Sequence, residues 1–269
     1  MVEVEPVEVA RGDGPVVLGV PHAGTWLPGE VFARLNEVGR RLADTDWHVD
    51  ELYAGLLPEA TVVRAKFHRY LVDANRGPDD ASLYPGRNTT GLCPLTDFDG
   101  RPIWREGEAP SADEAAARTA RWHAAYHAAL AAEVERVRAA HGVAILYDCH
   151  SIRSEIPYLF EGVLPDLNVG TVDGASCAPA VEAAVLAGCR AATGMSYVAN
   201  GRFKGGWTTR RYGRPDEGVH AVQMELAQAT YLEAEGPPWR LDAEKAQRLR
   251  RHLKGILETL AALAPELAG

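Results

Sequence analysis

The run Val143-Ala144-Ile145-Leu146-Tyr147 leads without a break into Asp148-Cys149-His150-Ser151. An apolar stretch of this length without alternation suits a strand covered on both faces, as in a parallel sheet between helix layers. The polar residues then fall at the carboxyl end of the strand, the edge where open α/β sheets collect ligands. Two further runs have the same form. Residues 15–20 end in Pro21-His22-Ala23-Gly24-Thr25, and residues 219–226 carry Glu225 inside an otherwise apolar strand. Buried carboxylates are rare without a partner and tend to have raised pKa values, as a general base near neutral pH needs. A lone histidine such as His22 or His150 also serves as a loop or core residue, so neither is diagnostic by itself.

Length and balance narrow the classes. The chain has 269 residues, 46% hydrophobic and 24% charged, which is ordinary for a globular protein. One α/β domain over residues 1–269 accommodates that length, and about three quarters of the unfolded surface can be buried without disulfide staples. A formal net charge of −9 argues against nucleic acid or an anionic membrane as partner. No run approaches the roughly 18 apolar residues of a membrane-spanning helix. Residues 1–5 lack the basic and apolar regions of a signal sequence. Cys93, Cys149, Cys177 and Cys189 form no C-x-x-C pair, which argues against a thiolate zinc site and suits a reducing cytoplasm. A monomer or weak homo-oligomer is expected.

Helical patterns lie between the apolar runs. Asp44-Thr45-Asp46-Trp47-His48 precedes Val49, Leu52, Tyr53 and Leu56 at helical spacing, and Asp44 or Asp46 fits an N-cap. A cap accounts for one aspartate and leaves the other carboxylate for a cation. Residues 61–66 and 69–73 read as strand pieces. The second runs into Asn75-Arg76-Gly77-Pro78, where a guanidinium fork held on a turn suits a carboxylate, or else pairs at the surface with Asp79 or Asp80. Residues 79–110 form a long loop anchored by Tyr84, Phe98 and Trp104, expected to cover part of a cleft.

Ser111-Ala112-Asp113-Glu114 is a capping box, and the helix after it packs Trp122, Tyr126, Leu130, Val134 and Val137 inward before stopping at His141-Gly142. His123 and His127 have a possible metal-ligand spacing, but without an H-E-x-x-H pattern they read as a solvated or packed face. Residues 165–171 and 196–200 read as strands, residues 179–189 as a helix, and Asp242 as the cap of a last helix. The stretch Gly201-Arg202-Phe203-Lys204-Gly205-Gly206-Trp207-Thr208-Thr209-Arg210-Arg211 gathers four cations in an acidic chain. It suggests capture of a small anion, or a solvated basic loop, since the phosphate-loop pattern is absent.

His22, Asp44 or Asp46, and His150 together make a two-histidine, one-carboxylate zinc set with a fourth position open. Glu225 is placed to take a proton from water, and Arg76 with the basic stretch to hold a substrate carboxylate.

The segments Pro21-His22-Ala23-Gly24, Asp44-Thr45-Asp46-Trp47-His48, Val72-Asp73-Ala74-Asn75-Arg76, Thr89-Thr90-Gly91-Leu92, Asp148-Cys149-His150-Ser151-Ile152-Arg153-Ser154, Asn200-Gly201-Arg202-Phe203-Lys204-Gly205-Gly206 and Glu225-Leu226-Ala227-Gln228 follow one another along nearly the whole chain. In these the sequence resembles the N-formylglutamate deformylases of histidine degradation and, more widely, the zinc carboxypeptidases and aspartoacylases. The resemblance implies a mixed, mostly parallel sheet of eight strands with helices on both faces. It implies one Zn2+ per chain, or another divalent metal, held by His22, His150 and Asp44 or Asp46. It makes Glu225 the base and Arg153 a catalytic cation, with Asn75, Arg76, Thr90, Arg202, Lys204, Arg210 and Arg211 around a dicarboxylate substrate. The chain departs from the carboxypeptidases in lacking H-x-x-E after His22, so the carboxylate ligand must come from elsewhere. The expected activity is hydrolysis of N-formyl-L-glutamate to formate and L-glutamate. The alternatives are hydrolysis of another N-acyl amino acid, or non-catalytic binding of a dicarboxylate.

Overall fold

The apolar runs form the middle of one sheet. A computed structural model describes residues 4–268, so the start of the segment 1–5 lies outside the described residues. The strands are β1 (Val7–Ala10), β2 (Val16–Val20), β3 (Thr61–Ala65), β4 (Ala144–Ile152), β5 (Leu167–Gly170), β6 (Tyr197–Ala199) and β7 (Val219–Ala227). They lie in the order β1-β3-β2-β4-β7-β5-β6. The four central strands β3, β2, β4 and β7 are parallel to one another, while β1 and β5 join antiparallel. Among the described residues the sheet has seven strands where the resemblance implied eight.

Strand periodicity assigns the faces. Val16, Leu18, Val20, Ile145, Tyr147, Cys149, Val222 and Met224 share one core with α2 (Val49–Tyr53), α5 (Pro179–Ala191) and α7 (Ala243–Leu267). Val17, Ala144, Leu146, Val219 and Ala221 face the other way, against the helix that ends in α4 (Ala124–His141) and against residues 65–74. Leu249, Leu253, Ile256 and Leu260 of α7 are almost fully buried, each contributing roughly 1.5–3 kcal/mol by area removed from water. Gly188 lets α5 and α7 meet: a Cβ there would fall 2.3 Å from Ile256 Cγ1. Asp242 caps α7 by accepting from the amides of Glu244 and Lys245.

Several local expectations change. The capping box forms, with Ser111 accepting from the Glu114 amide, but the helix is not uniform. It comprises α3 (Ala112–Arg118), a π-turn over Thr119–His123, and α4. Residues 69–73 are turns rather than strand, because Arg69 and Asp73 point inward to each other and to buried charges. Neither Asp44 nor Asp46 caps α2, whose N-cap is His48 in the left-handed region at φ 59°. The basic stretch contains α6 (Trp207–Tyr212), and a short α1 (Gly29–Arg34) follows β2. No helix among the described residues is long and apolar enough to cross a membrane.

Candidate active site

The chain leaves β2 toward β3 on one side, and β4 and β7 lie on the other, so the carboxyl ends of β2 and β4 flank a switch in direction. Such a switch opens a crevice. His22 stands two residues past β2, and His150 is on the last turn of pleat of β4. In the parallel register His150 is the Cα partner of Glu225, and Asp148 of Gln223. All four side chains therefore project from the same face. Asp46 is brought in by its loop, whose amide donates to the His22 carbonyl at 3.1 Å.

His22, Asp46 and His150 are buried, and their ligand atoms lie within 4.8 Å of one another. His150 Nδ1 is 3.1 Å from Asp46 Oδ2, and His22 Nδ1 is 3.9 Å from the same oxygen. His22 is held from behind at Nε2 by Asp73 Oδ1 at 2.8 Å, and the Asp148 carboxylate lies behind His150, its Oδ2 3.0 Å from Nε2. Carboxylates in that position orient metal-binding histidines and fix the tautomer. His22 Nδ1 is buried without a hydrogen-bond partner. Burial and the Arg69 charge hold the His22 pKa below the usual range, which favours the neutral ligand form. For His150, burial acts downward, but Asp148 and Asp46 outweigh it and raise the pKa well above the ordinary value.

These residues fit a divalent metal. The donor set is two imidazole nitrogens plus a carboxylate oxygen, a set that zinc accepts, with His150 giving up its proton when the ion binds. Asp46, Asp73 and Glu225 line the cleft with Arg69, which pairs with Asp73 at 2.6 Å and Asp46 at 3.7 Å. The buried His22 Nδ1, unpartnered and 3.9 Å from Asp46 Oδ2, is a donor such an ion would take up. Of the two candidate aspartates, Asp46 faces the histidines. Asp44 turns away, its Oδ2 accepting from the Tyr70 hydroxyl at 2.8 Å and the Phe98 amide at 2.9 Å. Burial pushes its carboxyl up to about 7.

Glu225 is 7% exposed and lines the same cleft. Its Oε2 accepts from Gln223 Nε2 at 3.1 Å. Burial raises its pKa to about 8, against the lowering influence of His150. The cleft measures about 110 Å³.

Two guanidiniums line the cleft without an ion pair among the described residues. Arg76 donates to the Thr90 carbonyl. Arg202 donates to the carbonyls of Leu159 at 3.0 Å and Asn88 at 3.3 Å, with Tyr84 and Phe203 flanking its plane at 5.2 Å. Asn75 Nδ2 lies 3.0 Å from His150 Nε2. The structure thus brings together His22, Asp46, Asn75, Arg76, Thr90, His150, Arg202 and Glu225. It places other candidates outside the cleft lining. Arg153 pairs with Asp99 at 3.0 Å, and Lys204 with Asp173 at 3.0 Å. Arg210 donates to the Gly205 carbonyl at 3.1 Å, and both Arg210 and Arg211 are exposed on α6. Reasoning from sequence passed over Arg69, Asp73, Asp148 and Gln223. The i,i+4 spacing of Arg69 and Asp73 was the available signal for the first pair.

The sequence profile of the family described as N-formylglutamate amidohydrolase matches residues 14–232. The chain is 48% identical over 264 residues to the N-formylglutamate deformylase of Pseudomonas aeruginosa, covering 97% of this chain and 98% of that protein. It is 46% identical over 257 residues to the N-formylglutamate deformylase of Pseudomonas putida, covering 95% and 96%. The crystal structure of N-formylglutamate amidohydrolase from Ralstonia eutropha JMP134 superposes with a TM-score of 0.83 at 26% identity, over 98% of this chain and 99% of that one. With the profile spanning most of the chain and two relatives matched nearly end to end, the protein belongs to the N-formylglutamate amidohydrolase family.

Proposed function

We propose that this chain hydrolyses N-formyl-L-glutamate to formate and L-glutamate, using one zinc ion held by His22, Asp46 and His150. The observation that carries the reading is the pairing of that donor set with a buried carboxylate, Glu225, on the neighbouring strand in register with His150. When bound, the ion supplies Lewis-acid polarisation of the formyl oxygen and acidifies water. Glu225 takes the proton of the attacking water and returns it to the glutamate nitrogen as the C–N bond breaks. Without an ion the Glu225 carboxyl stands at about 8; a cation held by His22, Asp46 and His150 would lower it toward the ionised form that a base needs. Arg76 and Arg202, free of carboxylate partners, match the two carboxylates of the substrate. Asn75 supports the first of them from beside His150. The reading leaves Arg153, Lys204, Arg210 and Arg211 out of direct contact with substrate.

The resemblance to enzymes of histidine breakdown gives the reaction its setting, and the four free cysteines suit a reducing cytoplasm. The deciding experiment is metal analysis with a deformylation assay on zinc-loaded protein, comparing N-formylglutamate with N-formylalanine. Stoichiometric metal and a strong preference for N-formylglutamate are expected. Equal turnover of both substrates would remove the two-arginine clamp, and metal-independent turnover would remove the zinc.

A further inference from the structure

His123 and His127 have no part in the chemistry above, yet both direct a ring N–H at one short segment. His127 Nε2 donates to the Ala74 carbonyl at 2.7 Å, and His123 Nε2 to the Arg76 carbonyl at 2.8 Å. The carbonyl between them, that of Asn75, accepts from the Trp207 amide at 3.2 Å. Three consecutive carbonyls are thereby anchored. Five residues before His123, the buried Arg118 donates to the Leu71 carbonyl at 3.1 Å. Positions five apart would point about 140° away from each other on a regular α-helix. They share a face here because the helix is wound as a π-turn over Thr119–His123.

A ring nitrogen facing a carbonyl must carry hydrogen, so both imidazoles are Nε2–H tautomers. Burial lowers both pKa values, that of His127 to about 3, so both are neutral donors. The Tyr212 hydroxyl lies 3.1 Å from both acceptors of His127, its Nδ1 and its backbone carbonyl. The Trp207 ring packs against both, at centroid distances of 5.4 and 4.5 Å.

We propose that His123 and His127 are positioning residues of this active site: their Nε2–H groups fix the backbone of residues 74–76 and so aim Asn75 and Arg76 into the cleft. The proposal rests on the deformylase reading above. Neither imidazole lines the cleft, so both act through the segment they hold. Little slack exists at its far side, where a Cβ on residue 206 would fall 2.2 Å from Asn75 Nδ2. Loosened carbonyl anchors turn directly into misplacement of Asn75 and Arg76, and a shift of about 1 Å costs on the order of 10²-fold in rate.

The test compares His127→Gln, whose amide nitrogen can occupy the Nε2 position, with His127→Asn, whose shorter amide falls short of Ala74. The same pair is made at His123, which decides the matter if a His127 variant does not fold. All are full-length, zinc-loaded proteins. The readouts are backbone hydrogen exchange of residues 71–77 and the separate KM and kcat for N-formylglutamate. The Gln variants should stay within about threefold of the parent. In the Asn variants the segment should exchange at least about tenfold faster while α7 keeps its protection. Their kcat/KM should fall roughly 10–100-fold, mainly through KM, at parent zinc content. Asn variants with parent exchange and kinetics overturn the proposal. So does equal damage from Gln and Asn, or exchange accelerated evenly along the chain, which is what a merely structural role would give. The exchange readout needs no substrate, so a parent inactive on N-formylglutamate would sink the deformylase reading while the clamp is still decided.

Discussion

Asp44 and Asp46 stand two residues apart, and replacing each by asparagine should have opposite consequences. Asp46 Oδ2 faces His150 Nδ1 at 3.1 Å and His22 Nδ1 at 3.9 Å. Removing its charge removes one full anion from the metal set. Two unit charges at 4 Å interact by about 4 kcal/mol at an effective dielectric of 20, and about 1.4 kcal/mol corresponds to a factor of ten. Asp46→Asn should therefore weaken zinc by roughly 10³-fold, beyond the 10–100-fold typical of a lost supporting partner. The fold should survive, because Arg69 keeps its 2.6 Å pair with Asp73.

Asp44→Asn is the matched control. Both donors to Asp44, the Tyr70 hydroxyl and the Phe98 amide, reach the same oxygen, and an amide carbonyl can accept both. The carboxyl already sits at about 7, so much of it is neutral near physiological pH. We expect a stability change of about 1 kcal/mol and zinc affinity within a few-fold of the parent. Competition with a chromophoric chelator measures the affinities, and thermal unfolding checks the fold. Parent-like zinc binding by Asp46→Asn, or loss of zinc from a folded Asp44→Asn protein, would refute the assignment of the carboxylate ligand.

Glu225→Gln should lower kcat by roughly 10²–10⁴-fold while retaining zinc; single-turnover kinetics and metal analysis check it, and near-parent kcat would take Glu225 out of the reaction. In metal-free protein the Glu225 carboxyl is raised from its ordinary 4.5 to about 8, so the folded state holds that proton more tightly than the unfolded chain. Its stabilisation is complete below about 4.5 and lost as pH rises through about 8, with a slope of up to about 1.4 kcal/mol per pH unit. Denaturant unfolding of metal-free parent and Glu225→Gln across that window should diverge accordingly, and parallel curves would contradict the raised value. Gly206→Ala places a Cβ 2.2 Å from Asn75 Nδ2; kcat/KM should fall by about 10²-fold with zinc retained, and an unaffected kcat/KM would mean Asn75 is not needed where it stands. Arg202→Leu should cost roughly 1.5–3 kcal/mol against N-formylglutamate but little against N-formylnorvaline, which lacks the distal carboxylate; equal losses on both would place Arg202 elsewhere in recognition.

The parts legible in the sequence were those with short-range signatures. The central strands announced themselves by unbroken apolar runs, and their ends delivered His22, His150 and Glu225 to one face. The capping residues Ser111 and Asp242 work as local rules require. What escaped was set by long-range electrostatics. Residues 69–73 carry the strand-like apolar run Tyr70-Leu71-Val72, yet Arg69 and Asp73 turn inward to pair with each other and with Asp46 and His22. The choice between Asp44 and Asp46 had the same origin, because only the packing of Tyr70 and Phe98 turns Asp44 away. His123 and His127 had the spacing of ligands, and their backbone partners come from 47 and 53 residues upstream.

The in-register pairing of His150 with Glu225 divides the labour between two kinds of scaffold. Their separation is set by adjacent parallel strands, about 4.8 Å apart in any sheet, and both strands are buried along their whole length. The arginines proposed to recognise substrate sit instead on loops, with Arg76 held by one turn and Arg202 propped on Leu159 and Asn88 carbonyls. Descendants of such a chain can therefore trade one acyl amino acid for another by editing loops, without re-evolving the distance between the acid and the metal ligand.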